Sequence, residues 1–371
     1  MDAGYVGQMN RMNFVTTIRD EAELVSHGLA PAADLADLQK VAERYAIGIT
    51  PDLAALIDPS DPFDPIARQF VPSREELSVS ASESADPIGD HAHSPVAGIV
   101  HRYPDRVLLK LVHVCAVYCR FCFRREMVGP GKESALSEAA YAGALDYIRN
   151  NRQIWEVILT GGDPLMLSPR RLAQVMNDLA AIDHVKIIRI HTRVPVADPS
   201  RISDDMVRAL KIDGATIWVA LHANHSRELT EKARAAVARL VDTGIPMVSQ
   251  SVLLRGVNDS VAALEELMRA FVECRIKPYY LHHGDLAPGT AHLRTTLAHG
   301  QALMGALRGR VSGLCQPQYV LDIPGGSGKS PVGPNYLESQ NSFVGERDVD
   351  AETRYRVTDY CGEVHLYPPQ R

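Results

Sequence analysis

Six apolar, β-branched stretches alternate with stretches of helical periodicity along the middle of this chain, and no other feature constrains the fold as much. The strand-like runs cover 107–114, 155–160, 185–190, 216–221, 246–254 and 277–282. Helix-like patterns occupy 137–150, 168–181, 203–212, 227–243, 260–273 and 297–309. Ser168 before Pro169 reads as an N-cap with proline at the first helical position, and Gly244 sits where a left-handed residue ends a helix. Strand–helix alternation predicts a parallel sheet joined by right-handed crossovers. Six units are too few for a closed eight-stranded barrel, and no G-x-G-x-x-G opens a helix as a dinucleotide-binding open sheet would require. The predicted fold is therefore α/β, a partial (β/α)6 barrel with a mostly helical N-terminal extension and a short C-terminal segment. Functional groups gather beyond the C-terminal strand ends of such sheets. Cys115, Thr160, Gly161, Gly162, Asp163, His191, His222, Gln250 and His282 all fall there.

The flanks are less regular. Residues 1–100 are expected to form an accessory region, with helical periodicity over 20–29 and 31–45 and an apolar face of Ala32, Leu35, Leu38 and Val41. From 50 to 90 the chain is rich in Pro, Ser and Asp, the composition of an irregular wrap or a linker. The barrel is expected over 101–325, and a lysine-bearing loop and tail over 326–371. A formal net charge of −6 argues against nucleic acid held by a basic surface. No stretch reaches the apolar length of a membrane helix, and no secretory leader pattern opens the chain. Six cysteines without a disulfide-like framework fit a reducing cytoplasm.

Three of those six cysteines lie within eight residues, Cys115-Ala-Val-Tyr-Cys119-Arg-Phe-Cys122, directly after the first strand run. Thiolates at such spacings on one loop can converge on a soft metal centre. A structural zinc site needs a fourth ligand, and no Cys or His pair nearby has the spacing to supply it; His113 lies in the strand run itself. Three thiolates with an open fourth position suit a [4Fe–4S] cluster whose free iron binds a ligand. A second motif is Asp322-Ile-Pro-Gly-Gly-Ser-Gly-Lys329-Ser330. It is not a phosphate-binding P-loop, because Ile323 stands where the first glycine is required and Pro331 and Pro334 forbid an ensuing helix. A lysine on such a loop suits a Schiff base with a carbonyl cofactor such as pyridoxal 5′-phosphate (PLP).

Together these motifs resemble the lysine 2,3-aminomutase family, radical S-adenosylmethionine (SAM) enzymes that also use PLP. The matching pieces run in order: His101-Arg-Tyr-Pro-Asp-Arg106, the cysteine motif through Arg125, Leu159-Thr-Gly-Gly-Asp-Pro-Leu165, Gln250-Ser-Val-Leu-Leu-Arg-Gly-Val-Asn-Asp259, Lys277-Pro-Tyr-Tyr280, Asp285-Leu286 and Pro324-Gly-Gly-Ser-Gly-Lys-Ser-Pro331. The resemblance implies Cys115, Cys119 and Cys122 as cluster ligands. It implies Gly161, Gly162 and Gln250 as SAM contacts, with Asp163 beside them in the cofactor-binding set. Lys329 is implied as the catalytic, PLP-bearing lysine and Arg102 as a contact to the PLP phosphate. Arg124 would clamp the substrate carboxylate, while Asp285 and Asp322 would bind the distant ammonium of lysine. Two carboxylates in one closed site are favourable together only around a cation, which points away from glutamate.

The implied reaction removes hydrogen from C3 of lysine, moves the α-amino group there and gives β-lysine. The family branch whose β-lysine modifies elongation factor P shares the same core, and a different amino acid substrate is the further alternative. A flavodoxin- or ferredoxin-type electron donor and a homo-oligomer are also implied. Two departures stand out. Longer family members end in a cysteine-rich zinc segment and carry a cysteine where this chain has Ser260. With only Cys361 in the tail, structural zinc is not expected and subunits would join differently. Leu281-His282-His283-Gly284 is also less aromatic than the family pattern before its Asp-Leu pair.

Overall fold

All six anticipated strand runs form strands, and they pair in the order in which they occur. The computed structural model describes residues 15–129, 134–339 and 354–368. Parts of the expected accessory region (1–14) and C-terminal segment (340–353 and 369–371) lie outside the described residues. One sheet contains β1 (Ile99–Tyr103), β2 (Arg106–Val112), β3 (Glu156–Gly161), β4 (Ile187–Thr192), β5 (Thr216–His222), β6 (Met247–Val252), β7 (Ile276–His282), β8 (Gln318–Ile323) and β9 (Gly328–Pro331), hydrogen-bonded in sequential order. Strands β2 to β8 are parallel, while β1 and β9 pair antiparallel at the two edges. Sequential order with crossovers of one hand puts every helix on one side and curls the sheet into a partial barrel.

The count differs from the anticipated six. A seventh parallel strand, β8, went unseen because its apolar run is short and leads into a hairpin rather than a helix. Hairpin β8–β9 pairs Asp322 with Lys329 directly, so the expected boundary at 325/326 falls inside it. Gly325, Gly326 and Gly328 all have positive φ, which is how so tight a reversal is made. A separate antiparallel sheet follows, formed by β10 (Leu337–Ser339), β11 (Tyr355–Thr358) and β12 (Val364–Tyr367).

Alternation along the strands sends apolar side chains outward to the helices and brings charged and polar ones, among further apolar groups, to the interior. On β4, Ile188 and Ile190 are fully buried under the helices, while Arg189 and His191 turn to the interior. On β3, Val157 and Leu159 likewise face the helices, and Glu156, Ile158 and Thr160 line the interior. Of four covering helices, three begin where anticipated; the one expected from 227 starts only at Glu231, after a separate turn over Ser226–Glu228. Ser137, Ser168, Thr230 and Ser260 cap Glu138–Asn150, Pro169–Ala180, Glu231–Asp242 and Val261–Glu273, each accepting from a backbone N–H three residues on. In Pro169–Ala180, Leu172, Val175, Met176 and Leu179 form the buried stripe.

The extension has a small core of its own. Ile18, Leu24, Leu38, Ile49, Leu53, Ile66 and Phe70 pack together, and Val117 of the cysteine loop is part of the same cluster. Its helices, Glu21–Ser26 and Leu35–Ala42, are shorter than the periodicity suggested. Residues 50–90 form an irregular wrap that ends its first half in a capping box between Ser73 and Glu76. Glu76 then reaches into the cysteine loop, where Arg120 donates to it through Nε at 3.0 Å and Nη2 at 2.5 Å, and Arg125 donates beside it. All three side chains are buried, Glu76 completely.

Replacing Glu76 by Ala is expected to cost about 3–5 kcal/mol, because two buried guanidinium groups lose their counter-charge. Ser73→Ala removes only a cap and is expected to cost about 1 kcal/mol. Denaturant midpoints of the two variants would check this order.

Candidate active site

The cysteine loop is held at the C-terminal mouth of the barrel mostly by the extension. Tyr118 N–H donates to the Gly48 carbonyl at 3.0 Å, and Arg120 N–H donates to the Gln69 carbonyl at 2.8 Å. Arg120 Nη1 reaches the Ala46 carbonyl at 2.8 Å, and Arg125 stacks over the Tyr45 ring at 3.5 Å. Burial raises Glu76, but Arg120 and Arg125 outweigh it and hold the carboxyl below its usual range. Cys115, Cys119 and Cys122 face one interior cavity of about 420 Å³. Burial pushes all three thiols up, Cys119 to about 11. A metal centre would have to displace those protons.

The sulfurs fit a polynuclear centre better than a single ion. Two ligands of one zinc lie no more than about 4.6 Å apart, twice a Zn–S bond of roughly 2.3 Å. The three sulfurs are not all gathered within 4.8 Å of one another; among the described residues, only the half-buried Asp359 and the exposed Glu363 and His365 form such a group.

Strand β3 ends against this loop. Gly162 N–H donates to the Val112 carbonyl at 2.5 Å and Asp163 N–H to the Val114 carbonyl at 2.9 Å. A Cβ on Gly161 would lie 2.5 Å from the Val112 oxygen, and one on Gly162 2.3 Å from the Val114 oxygen. Both glycines line the cavity, so close backbone packing leaves an open shelf there. Asp163 is occupied otherwise: its buried carboxylate accepts from Leu165 N–H, Thr192 Oγ1, Arg193 N–H and Val194 N–H at 2.7–3.2 Å. It orders two loops from behind the shelf. Gln250 lines the same cavity from β6.

Lys329 stands across the cavity on β9. Its Nζ lies 2.5 Å from Asp322 Oδ1, while Asp322 Oδ2 faces His282 Nδ1 at 3.3 Å. Burial raises Asp322, yet the His282 hydrogen bond and the Lys329 charge hold it well below the usual carboxylate range. Asp285 is in the opposite condition: burial and the nearby Asp322 charge push its carboxyl up to about 7. Arg102 and Arg124 meet over the buried Asp90, which accepts from their Nη2 atoms at 3.1 and 3.0 Å. The Nε of each arginine is buried without a hydrogen-bond partner, as are His191 Nε2 and His222 Nε2.

Every anticipated site residue thus borders one cavity. Sequence reading missed Glu76, Asp90, Gln69, Glu228 and Arg193, which act across separations of up to 159 residues. Local spacing carries no signal for such contacts.

The residues fit the groups the motifs suggest. Three soft sulfurs with an open side suit an iron–sulfur cluster, and a flat glycine shelf beside them suits SAM. A primary amine and an arginine with an unpartnered Nε on the wall of one cavity suit PLP. Fold and cysteine loop define a radical SAM protein, and a family model described as Radical SAM superfamily matches residues 109–269. A second, described as Lysine-2,3-aminomutase, matches residues 304–345. An L-lysine 2,3-aminomutase of Clostridium subterminale is 44% identical over 295 residues, covering 80% of this chain and 70% of that protein. One from Acetoanaerobium sticklandii is 42% identical, covering 82% and 73%. A glutamate 2,3-aminomutase of Clostridioides difficile is 35% identical, covering 82% and 72%. The chain belongs to the lysine 2,3-aminomutase family. Membership implies a [4Fe–4S] cluster, SAM and a small-molecule substrate. Among the described residues, no helix is long and apolar enough to cross a membrane.

Cys119→Ala is expected to remove most of the bound iron while the far-ultraviolet circular dichroism stays near wild type. Gly162→Ala should also lower iron loading, through displacement of the loop by the new methyl group. Iron and sulfide analysis of anaerobically reconstituted protein checks both.

Proposed function

We propose that the protein is an L-lysine 2,3-aminomutase, shifting the α-amino group of lysine to C3 and releasing β-lysine. The observation that carries this reading is the pair Asp285 and Asp322 in the cavity shared by Lys329 and the three cysteines. Among the described residues, Asp322 pairs with the Lys329 amine while the Asp285 carboxylate makes no ion pair. Once Lys329 is engaged in cofactor chemistry, both carboxylates need a positive charge between them, and the ε-ammonium of lysine supplies it. A glutamate side chain would add a third negative charge instead. The names of the more similar relatives support lysine.

When bound, the cluster and SAM supply a carbon radical that abstracts hydrogen, and PLP supplies the carbonyl that carries the migrating nitrogen. The residues of the chain divide the remaining work. Cys115, Cys119 and Cys122 bind the cluster; Gly161, Gly162 and Gln250 border SAM, and Asp163 holds their loops. Lys329 presents its amine to PLP, with Arg102 Nε directed to the phosphate. Arg124 takes the substrate carboxylate, fixing C3 between two anchored ends. The reading includes a low-potential flavodoxin- or ferredoxin-type donor, a homo-oligomer and a reducing cytoplasm. Six cysteines free of disulfides support the last of these.

Lys329→Ala is expected to abolish turnover, and borohydride reduction of wild-type protein should place the pyridoxyl label on Lys329 in a peptide map. Labelling of another lysine would overturn that assignment.

Substrate and pH test the carboxylate pair. Below pH 7 Asp285 holds a proton that a bound ammonium must displace, so KM for lysine should rise about tenfold per unit of falling pH and level off above 7. Asp285→Asn should raise KM at least tenfold and flatten that profile. Norleucine matches lysine in length without its charge; equal turnover of the two in an anaerobic assay for β-amino acids would sink the reading.

A further inference from the structure

We infer that Arg193 is a positioning residue for the iron–sulfur centre: it donates a charged hydrogen bond to Cys119 and thereby raises the potential at which the cluster accepts its electron. This deepens the reading of Cys115, Cys119 and Cys122 as cluster ligands and rests on it.

Arg193 follows β4, and its own N–H is fixed on Asp163 Oδ2 at 2.7 Å. The side chain is buried and lies between the Phe70 and Phe121 rings, 4.8 and 5.6 Å from their centroids. Nη2 donates to Gln69 Oε1 at 2.8 Å and to Glu228, while Nη1 donates to Cys119 Sγ at 3.5 Å. Glu228, itself fully buried, is steadied by the N–H groups of Asn224 and His225 at 2.8 and 3.0 Å. The guanidinium is therefore clamped from behind and aimed at one sulfur. Its Nε is buried without a partner, a donor awaiting an acceptor that the protein does not supply. Among the described residues, Cys119 is the one of the three cysteines whose sulfur accepts a hydrogen bond from a charged side chain.

The electron balance is simple. The oxidised [4Fe–4S]2+ cluster takes one electron from a low-potential one-electron donor and becomes [4Fe–4S]+, with no proton moved. The added negative charge spreads onto the sulfurs, so a cation on a ligand sulfur favours the reduced form. Glu228 lies one group further back and works against that cation. Neutralising either residue should move the potential, in opposite directions.

The test is a redox titration of anaerobically reconstituted protein without SAM, reading the S = 1/2 signal of the reduced cluster normalised to bound iron. At the wild-type midpoint, Arg193→Gln should lower the ratio of reduced to oxidised cluster about tenfold, a one-electron shift of about 59 mV to the negative side. Glu228→Gln should raise that ratio severalfold, and Arg193→Lys, which keeps the charge, should stay within about threefold of wild type. A purely structural role would lower iron content without opposite shifts per cluster. The inference is overturned if Arg193→Gln stays within twofold of wild type, or if both neutral variants move the same way. Should Arg193→Gln hold no cluster, Glu228→Gln decides alone, and an unmoved or more negative midpoint overturns it. Failure of the underlying cluster reading looks different: no signal in reconstituted wild-type protein.

Discussion

A carboxylate sealed between two guanidinium groups holds this structure's working end together. Glu76 is completely buried, and Arg120 and Arg125 approach it from inside the cysteine loop. Removing three charges from water is expensive, and the attraction among them compensates only with good geometry and further acceptors. Those acceptors are present: Arg120 also reaches the Ala46 carbonyl, and Arg125 the Arg120 carbonyl. The ion cluster contributes placement more than net stability. It allows only one seat for the loop, and so only one direction for the three sulfurs. An extension that composition marks as a mere flank is therefore part of the active site.

The barrel shows the same economy. An ordinary barrel fills its interior with apolar layers, whereas here apolar strand faces meet the helices and the interior is left hollow, with charged and polar groups on its walls. Buried polar atoms without partners are rare in folded proteins. Several sit together here, on Arg102, Arg124, His191, His222 and Arg193, all on residues that line one cavity. Such a site is incomplete as protein alone. Anionic and sulfur-rich cofactors, and a substrate with charges at both ends, would supply the missing acceptors and counter-charges. Asp322 and Asp285 illustrate the principle, since one is ionised against Lys329 and the other is driven toward its protonated form by burial and the neighbouring Asp322 charge.

Much of this was legible in the sequence because it depends on short-range physics. Alternating apolar residues mark strands, a Ser-Pro pair marks a helix start, and cysteines three and four apart on a loop mark a candidate metal site. The six strand runs, the helix caps and the placement of Cys115, His191, His222 and Gln250 at strand ends all follow from such local rules. So does rejection of a P-loop, since Lys329 lies on an antiparallel edge strand and not at a helix start. Strand β8 escaped because a six-residue run without a following helix has no distinctive period.

What only the tertiary structure decided are relations between residues far apart in the chain. Asp90 lies between Arg102 and Arg124, Gln69 links Arg193 to Glu228, and Lys329 stands against Asp322 because β8 and β9 fold back on each other. Each residue looks ordinary in its own stretch of sequence, for an aspartate in a Pro-rich segment is usually solvated. Its role appears only when burial removes water and leaves a neighbour as its sole source of charge or hydrogen bonds. The sequence by itself determined which chemical groups the chain carries and which strands and helices bear them. Folding decided which of those groups must answer one another, because desolvation acts on three-dimensional neighbours and not on neighbours in the chain.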